Sequence, residues 1–445
     1  MNRPHPLRHV PMLQPASPTL SRSRAAWLDR RLEQAAHRVR GATQQAAVDY
    51  AVAAALAGAG LLLYVITLAP TVTWGDDATL QLAAVQGRLQ ASAGSHPAWV
   101  LLAHLFTKLP VGDLAYRVNL ASACAAALTL GLLYLACRAA HASRFAGLAA
   151  TAAFAVSHTF WAHAVRAEVY TLTLATLALV TWAALQWWRL GQRRFLVLTA
   201  AGWSLAFSTH VLALLYLPAL AFLLLARRDR LQRRDWALLA GSAVLALAPY
   251  GLVLWNDYQR MGGSLPDLAR WALFTFEGYD FSSQMASFSR ATLLSDTVQW
   301  AGYLGYQFVG LGLLLAGLGL VYAWRRWPRG LASFTGLLYA VPALFAFAYQ
   351  VGDRYVFYLP SYLPVAVWLA AGIDGWQQRQ QARANHDAAL HAGRHRLRLA
   401  LLALLILVPV SVYRLTPEVI SRLGVQRDAR YVPGPNSRYF VLWPP

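Results

Sequence analysis

Residues 51–77 read AVAAALAGAGLLLYVITLAPTVTWGDD, an apolar run followed closely by two adjacent carboxylates, Asp76 and Asp77. The apolar part, residues 51–69, is long enough to cross a bilayer as a helix. The chain has only 19 Asp and Glu among 445 residues, so two acids at the end of such a helix are notable. They indicate either chemistry at a membrane surface or a solvated loop.

The composition is that of a membrane protein with many spans. Hydrophobic residues make up 58% of the chain and charged residues 13%, against roughly 25% charged residues in a soluble domain. The net charge of +20 comes from arginines in short linkers between apolar runs. This is the distribution of cytoplasmic loops, so it argues against a nucleic-acid-binding protein.

Apolar runs of helical length recur along the whole chain. They predict an all-α polytopic membrane protein with about eleven transmembrane helices. The runs lie near residues 51–69, 114–137, 146–164, 168–187, 195–209, 211–226, 236–256, 298–323, 331–350, 355–375 and 398–414.

The arginine-rich linkers give the orientation and the domain boundaries. With this span count, every basic linker falls on the side of the basic N-terminus, which is therefore predicted to be cytoplasmic. The predicted parts are a basic N-terminal extension (residues 1–48), a transmembrane domain (49–414) and a short outer-side tail (415–445). The high ratio of arginine to lysine and the abundance of alanine are typical of a GC-rich bacterium, so the expected location is a bacterial inner membrane, with the acid-bearing loops on the periplasmic face.

The first outer loop, residues 70–113, is predicted to contain two helices that do not span the membrane. Residues 78–91 form an amphipathic pattern that suits the membrane interface. Residues 97–109 are apolar but too short to span, which favours an interfacial or re-entrant helix.

Asp76 and Asp77 are the leading candidates for catalysis. A carboxylate at a low-dielectric boundary can accept a proton from a hydroxyl, or it can bind a divalent cation. His96, before Pro97, can bind a phosphate oxygen or orient a carboxylate, although a histidine before a helix-starting proline is as common structurally.

Other polar residues lie at predicted outer ends of spans. Arg166, Glu168 and Tyr170 follow one span, and Arg166 either pairs with Glu168 or holds a lipid phosphate. His210 lies in an apolar context, where a hydrogen-bonded core histidine is the common alternative. The remaining candidates for substrate binding are Arg117 and Arg354. Taken singly, none of these signals specifies a reaction.

Their order, however, resembles a family of bacterial and eukaryotic multi-span proteins that includes the animal endoplasmic-reticulum O-mannosyltransferase acting on plexin-type receptors. The elements that carry the resemblance are Pro70–Thr73, Asp76, His96-Pro97, Arg117-Val118-Asn119, Trp161 with Glu168-Val169-Tyr170, His210, and Asp353 with Tyr355, Tyr358 and Pro360. The likeness is best over residues 60–220. It implies a GT-C-like bundle.

The resemblance also implies a reaction. The donor would be a hexose linked to polyprenyl phosphate. The acceptor would be a hydroxyl group of a protein, glycan or lipid on the outer face. Asp76 would be the general base, with inversion at the anomeric carbon. Arg166, Arg354 or His210 would neutralise the phosphate, while His96 and Glu168 would shape the site. A divalent cation is an open alternative, and no metal ligands are assigned.

This chain departs from the family pattern at three places. Thr79 stands where the family has an acid, Ala98 replaces the second proline of His-Pro-Pro, and Trp99 replaces a glycine that is usual near it. Asp77 is a candidate substitute for the missing acid. Two other readings therefore stay open: a non-catalytic protein that binds lipid-linked sugar, and a transporter or flippase.

Overall fold

A computed structural model describes residues 44–73, 76–89, 95–276, 279–280, 282–285, 289–384 and 389–422. The protein falls into two units, Met1–Ala51 and Val52–Pro445. The described part of the first unit, residues 44–51, is helical. Most of the predicted N-terminal extension and the end of the predicted tail lie outside the described residues, so the predicted domain boundaries remain predictions.

The described residues are mostly helical, as predicted. The helices are α1 Gln44–Ile66, α2 Asp76–Gln86, α3 Pro97–Phe106, α4 Leu114–Ala139, α5 Arg144–Ala155, α6 His158–Ala164, α7 Tyr170–Leu190, α8 Arg193–Thr209, α9 Leu217–Ala226, α10 Arg233–Leu247, α11 Gly251–Arg260, α12 Leu265–Phe274, α13 Leu293–Gln307, α14 Leu311–Arg326, α15 Arg329–Ala348, α16 Leu359–Ala384 and α17 Ala389–Arg422.

Short elements join these helices. The 3-10 turns Val211–Tyr216 and Arg354–Tyr358 precede α9 and α16. Two antiparallel strands, β1 Thr275–Phe276 and β2 Tyr279–Asp280, form a small hairpin after α12. The two helices predicted in the first outer loop are present as α2 and α3. Residues 90 and 91 of the predicted 78–91 segment lie outside the described part of the chain.

Each predicted apolar run coincides with a helix or a bent helix pair, but the count of eleven spans is not confirmed. Among the described residues, five helices are long and apolar enough to cross a membrane, or up to eight if each bent pair is one span. The bends are 67° between α5 and α6, 70° between α10 and α11, and 103° between α13 and α14. Hydropathy depends on which residues a segment contains and not on the direction of its helix axis, so the sequence did not predict these bends.

The centre of the bundle is formed by α4, α7, α14 and α16, with α4 packed on α7 and α14 on α16. The apolar stretch within Arg354–Gln381, a segment that contains most of α16, has 94% of its residues buried. The apolar stretch within His395–Thr416 of α17 has only 22% of its residues buried. The α14–α16 contact is backbone to backbone. A methyl group at Gly319 or Gly372 would overlap the carbonyl oxygen of Trp368 or Leu315, respectively.

Candidate functional site

The segment leading to Asp76 and Asp77 is held in place by α4. The amide nitrogen of Asn119 donates to the carbonyl oxygens of Ala69 at 2.9 Å and Thr71 at 3.2 Å, and its amide oxygen accepts from Gln81 of α2 at 3.0 Å. Asn119 is fully buried. One side chain thus fixes both the segment before α2 and α2 itself.

The turn between α6 and α7 is tied to the same region. The backbone N–H of Ala69 donates to the carbonyl of Val165 at 2.8 Å. The hydroxyl of Ser122 on α4 accepts from the backbone N–H of Glu168 at 3.0 Å and donates to its carbonyl at 3.1 Å. These bonds bring residues far apart in sequence, Asp77 and Glu168, to one place.

Arg166 lies between the two carboxylates. Its Nε is 3.9 Å from Oδ2 of Asp77, and its Nη2 is 3.7 Å from Oε1 of Glu168. His163 completes this group, since its Nδ1 is 3.5 Å from both Glu168 Oε1 and Arg166 Nη2. We call Asp77, His163, Arg166 and Glu168 the acid–arginine cluster. The side chain of Asp77 is 1% exposed, and those of Glu168 and Arg166 are 9% and 16% exposed, respectively.

Burial controls the protonation of this cluster. It raises the pKa of Asp77 well above its usual value, and Arg166 offsets only part of that effect. Burial likewise raises the pKa of Glu168 to about 7, again against the attraction of Arg166. Burial opposes the charge on Arg166, but the two carboxylates outweigh it and raise the pKa of Arg166. The cluster therefore holds a fixed cation beside two carboxyl groups whose pKa values are raised by burial, that of Glu168 to about 7.

Asp76 occupies a different environment from its neighbour. It is exposed at the first position of α2, whereas Asp77 is buried. Asp76 nevertheless acts electrostatically on both Glu168 and Tyr170. The two adjacent acids thus differ in role: Asp77 faces Arg166, and Asp76 is open to solvent at the edge of the cluster.

His96 and His210 form a second group beside the cluster. Their ring centroids are 4.8 Å apart, and the ring of Tyr170 lies 5.7 Å from His210 and 5.2 Å from His163. His96 Nδ1 donates to the carbonyl of Thr209 at 2.9 Å, because a carbonyl can only accept. Burial lowers the pKa of His96 to about 4, so this ring is neutral at pH 7.

The backbone of His96 is strained. Its φ of 42° lies in the left-handed region, which residues with a side chain rarely adopt, and a following proline disfavours compact conformations further. Such strain persists where surrounding contacts over-determine a residue, often at functional sites.

Two predicted site residues are engaged elsewhere. The Nε, Nη1 and Nη2 atoms of Arg117 donate to the carbonyls of Val111, Thr107 and Gly112, respectively, at 2.7–2.9 Å. The Arg117 side chain therefore stabilises the turn after α3. Arg354 is 2.8 Å from Asp296 on α13, and their side chains are 6% and 4% exposed. Neither arginine contacts the acid–arginine cluster in any described hydrogen bond or ion pair.

His163 is the member of the acid–arginine cluster that sequence reasoning missed. His163 lies inside an apolar run, where a histidine gives no signal that separates it from a core residue. Among the described residues, no three His, Cys, Asp or Glu side chains are grouped so as to hold a metal ion.

The chain matches one protein family over part of its length. Residues 82–233 match the model of the Protein O-mannosyl-transferase TMEM260 N-terminal domain. This stretch includes His96, Arg117, Arg166, Glu168, Tyr170 and His210. It begins after Asp76 and Asp77 and ends before Arg354.

Several solved structures share the fold of this chain. ArnT from Cupriavidus metallidurans bound to undecaprenyl phosphate aligns with a TM-score of 0.56 at 15% identity, over 86% of this chain and 67% of that chain. Apo ArnT from the same organism aligns at 0.51 and 16% identity, over 90% and 68%.

The oligosaccharyltransferase of Archaeoglobus fulgidus in its apo form aligns with a TM-score of 0.50 at 16% identity, over 81% of this chain and 55% of that chain. At such identities these likenesses concern the fold alone. Together with the family match, they confirm the predicted resemblance: this chain is similar over residues 82–233 to the TMEM260 O-mannosyltransferase domain, and it has the GT-C-like fold of multi-span membrane glycosyltransferases.

Proposed function

We propose that this protein is an inverting membrane glycosyltransferase that moves a hexose from a polyprenyl-phosphate donor to an acceptor hydroxyl. The observation that carries the proposal is the acid–arginine cluster, in which Arg166 lies 3.9 Å from Asp77 and 3.7 Å from Glu168, beside the exposed Asp76. An accessible carboxylate next to a partly buried cation suits a reaction that removes a proton and releases a phosphate.

In this reaction Asp76 is the general base. It takes the proton of the acceptor hydroxyl while that oxygen attacks the anomeric carbon of the donor sugar. The bond from the anomeric carbon to the phosphate oxygen breaks, and its electron pair leaves with polyprenyl phosphate. Attack opposite the leaving group inverts the anomeric carbon. Asp77 is a positioning residue in this scheme, because it is buried against Arg166.

Arg166 is the favoured residue for the leaving phosphate. Of the predicted phosphate-binding residues, it alone has a described ion pair with the cluster carboxylates, whereas the guanidinium of Arg354 is paired with Asp296. His210 lies next to His96 and contributes a neutral ring to the same wall of the site. A positive charge fixed before the reaction stabilises developing negative charge without further reorganisation.

The proposed setting follows from the arginine distribution. The N-terminus and the basic linkers face the cytoplasm, and the cluster faces the periplasm of a bacterial inner membrane. Undecaprenyl phosphate is the favoured carrier, since ArnT, which shares the fold, was solved bound to it. The acceptor is a protein, glycan or lipid hydroxyl at the periplasmic face. The proposed parts are the extension 1–48, the transmembrane domain 49–414 and the tail 415–445.

The test uses purified protein in membranes containing undecaprenyl-phosphate-linked hexoses, with loss of sugar from the donor followed by mass spectrometry. Asp76→Asn should reduce transfer by at least about a hundredfold, the scale of one general base. The matched control is Asp229→Asn, which makes the same change at an exposed acid in the basic linker after α9. Equal transfer by the wild type and Asp76→Asn would reject Asp76 as the base.

The same assay separates the alternatives. Thr79 stands in place of the family acid and is half-buried on α2. Binding of the sugar lipid by wild type without turnover, with every acceptor class supplied, would favour a non-catalytic relative. Movement of an intact sugar lipid across a sealed vesicle would favour a flippase.

A further inference from the structure

Four buried polar atoms of the acid–arginine cluster have no hydrogen-bond partner among the described residues: both carboxylate oxygens of Asp77, Nε of Arg166 and Nε2 of His163. Arg166 Nε and Asp77 Oδ2 at least form an ion pair at 3.9 Å, whereas no described hydrogen bond or ion pair involves Nε2 of His163, a residue that is 2% exposed. Nearly all buried polar atoms in folded proteins are paired, so this atom in a candidate site is suited to a ligand group. The aromatic rings nearest to His163 belong to Tyr170 and Tyr355, at centroid distances of 5.2 and 6.4 Å.

The other ring nitrogen fixes what Nε2 can do. Nδ1 is 3.5 Å from Arg166 Nη2, which can only donate, and 3.5 Å from Glu168 Oε1. If Nδ1 accepts from Arg166, Nε2 carries the proton and is a donor. If Nδ1 instead donates to an ionised Glu168, Nε2 is an acceptor. The two contacts therefore allow both tautomers, depending on whether Glu168 holds its proton.

A hydroxyl group suits Nε2 in both states. A hydroxyl donates and accepts, whereas the oxygen of a phosphodiester only accepts and is repelled by an ionised Glu168. The proposed donor supplies such a group at the right place. Its phosphate is drawn to Arg166, and the sugar is attached directly to that phosphate, so the sugar ring lies within reach of His163.

We infer that His163 is a sugar-binding residue whose Nε2 pairs with a ring hydroxyl of the lipid-linked donor. This inference rests on the proposed function and adds a contact that selects a hydroxylated sugar over the bare lipid phosphate. The Nδ1 of His163 lies 3.5 Å from both Glu168 Oε1 and Arg166 Nη2. The same histidine thus couples the sugar to the charged part of the site.

The experiment compares two probes, undecaprenyl phosphate and undecaprenyl-phosphate-linked hexose, on purified full-length protein in micelles. The dissociation constant of each is measured from the rise in the thermal midpoint with ligand concentration. His163→Phe should weaken binding of the sugar lipid about tenfold, the scale of one lost hydrogen bond, and leave binding of undecaprenyl phosphate unchanged. His163→Gln, which keeps a donor and an acceptor, should recover part of the loss.

The control is His158→Phe, the same change on the same helix, where the ring packs on Tyr306 and Tyr413. It should leave both dissociation constants as in the wild type. Ligand-free His163→Phe should melt close to wild type, because the substitution removes the unpaired buried Nε2 and, with Nδ1, only two long contacts of 3.5 Å.

Three results would overturn the inference. Equal weakening of both probes would assign His163 to the phosphate, and no weakening of either would make it structural. A lower midpoint of ligand-free His163→Phe together with unchanged binding would also make it structural. If the wild type itself binds the sugar lipid no better than undecaprenyl phosphate, the proposed function fails before the role of His163 arises.

Discussion

The buried pair of Arg354 and Asp296 allows a structural role to be separated from a catalytic one. Nη2 of Arg354 donates to Asp296 Oδ1 and to Gln299 Oε1, both at 2.8 Å, and Nη1 donates to Gln350 Oε1 at 2.7 Å. These bonds join α13 to the 3-10 turn before α16. The family resemblance implies that Arg354 binds phosphate, whereas these contacts indicate that it fastens two elements together.

The magnitude follows from the burial of the pair. Both side chains are nearly inaccessible, so removing one partner leaves the other as an uncompensated buried charge, at a cost of about 3–5 kcal/mol. Arg354→Met and Asp296→Leu should each lower the free energy of unfolding by that amount. The double variant removes both charges and should cost only about 1 kcal/mol. The coupling between the two sites, the sum of the single costs less the double cost, should then be about 5–9 kcal/mol.

The assay is unfolding of the purified protein in mixed micelles by a denaturing detergent, with transfer activity measured on the same samples. If Arg354 only fastens α13, the double variant regains both stability and transfer. If Arg354 also meets the phosphate, stability returns and transfer does not. The reasoning would be refuted if the double variant lost as much free energy of unfolding as the two single variants together, because Arg354 and Asp296 would then contribute to stability independently.

Two further predictions concern packing and protonation. Gly319→Ala should destabilise the protein by about 1–3 kcal/mol, because the new methyl overlaps the Trp368 carbonyl, and thermal midpoints will show this. Gly317→Ala on the same helix has open space around it and should be neutral or slightly stabilising; equal effects at both sites would contradict the packing argument. Burial raises the pKa of Glu168 from 4.5 to about 7, so the folded protein keeps a proton that the unfolded chain releases, and stability should fall as pH rises through that interval. Glu168→Gln should flatten that part of the midpoint-against-pH curve; an unchanged slope would show that another group is responsible.

The helices were largely predictable because hydropathy is a property of composition. Every predicted apolar run proved helical, and the two short helices of the first outer loop appeared as α2 and α3. The number of spans was not predictable in the same way. The 103° bend between α13 and α14 occurs where Gly310 adopts a φ of 59°, and an apolar run carries no record of such a turn.

The site was predictable in its members but not in its pairings. The sequence singled out Asp76, Asp77, Arg166 and Glu168, yet the difference between the exposed Asp76 and the buried Asp77 depends on how α2 packs. Arg117 and Arg354 looked equivalent to Arg166 in sequence, and the structure gives them backbone and Asp296 partners instead. His163 carried no sequence signal at all.

The sequence by itself thus determined a multi-span helical protein and the residue types available for chemistry. These depend on local composition and on the free energy of placing each segment in lipid or water, which is summed along the chain. Only the tertiary structure decided which charge meets which. Ion pairing and burial act over about 4 Å, and separations that small between Asp77 and Arg166 exist only after Asn119 and Ser122 of α4 have fixed both segments.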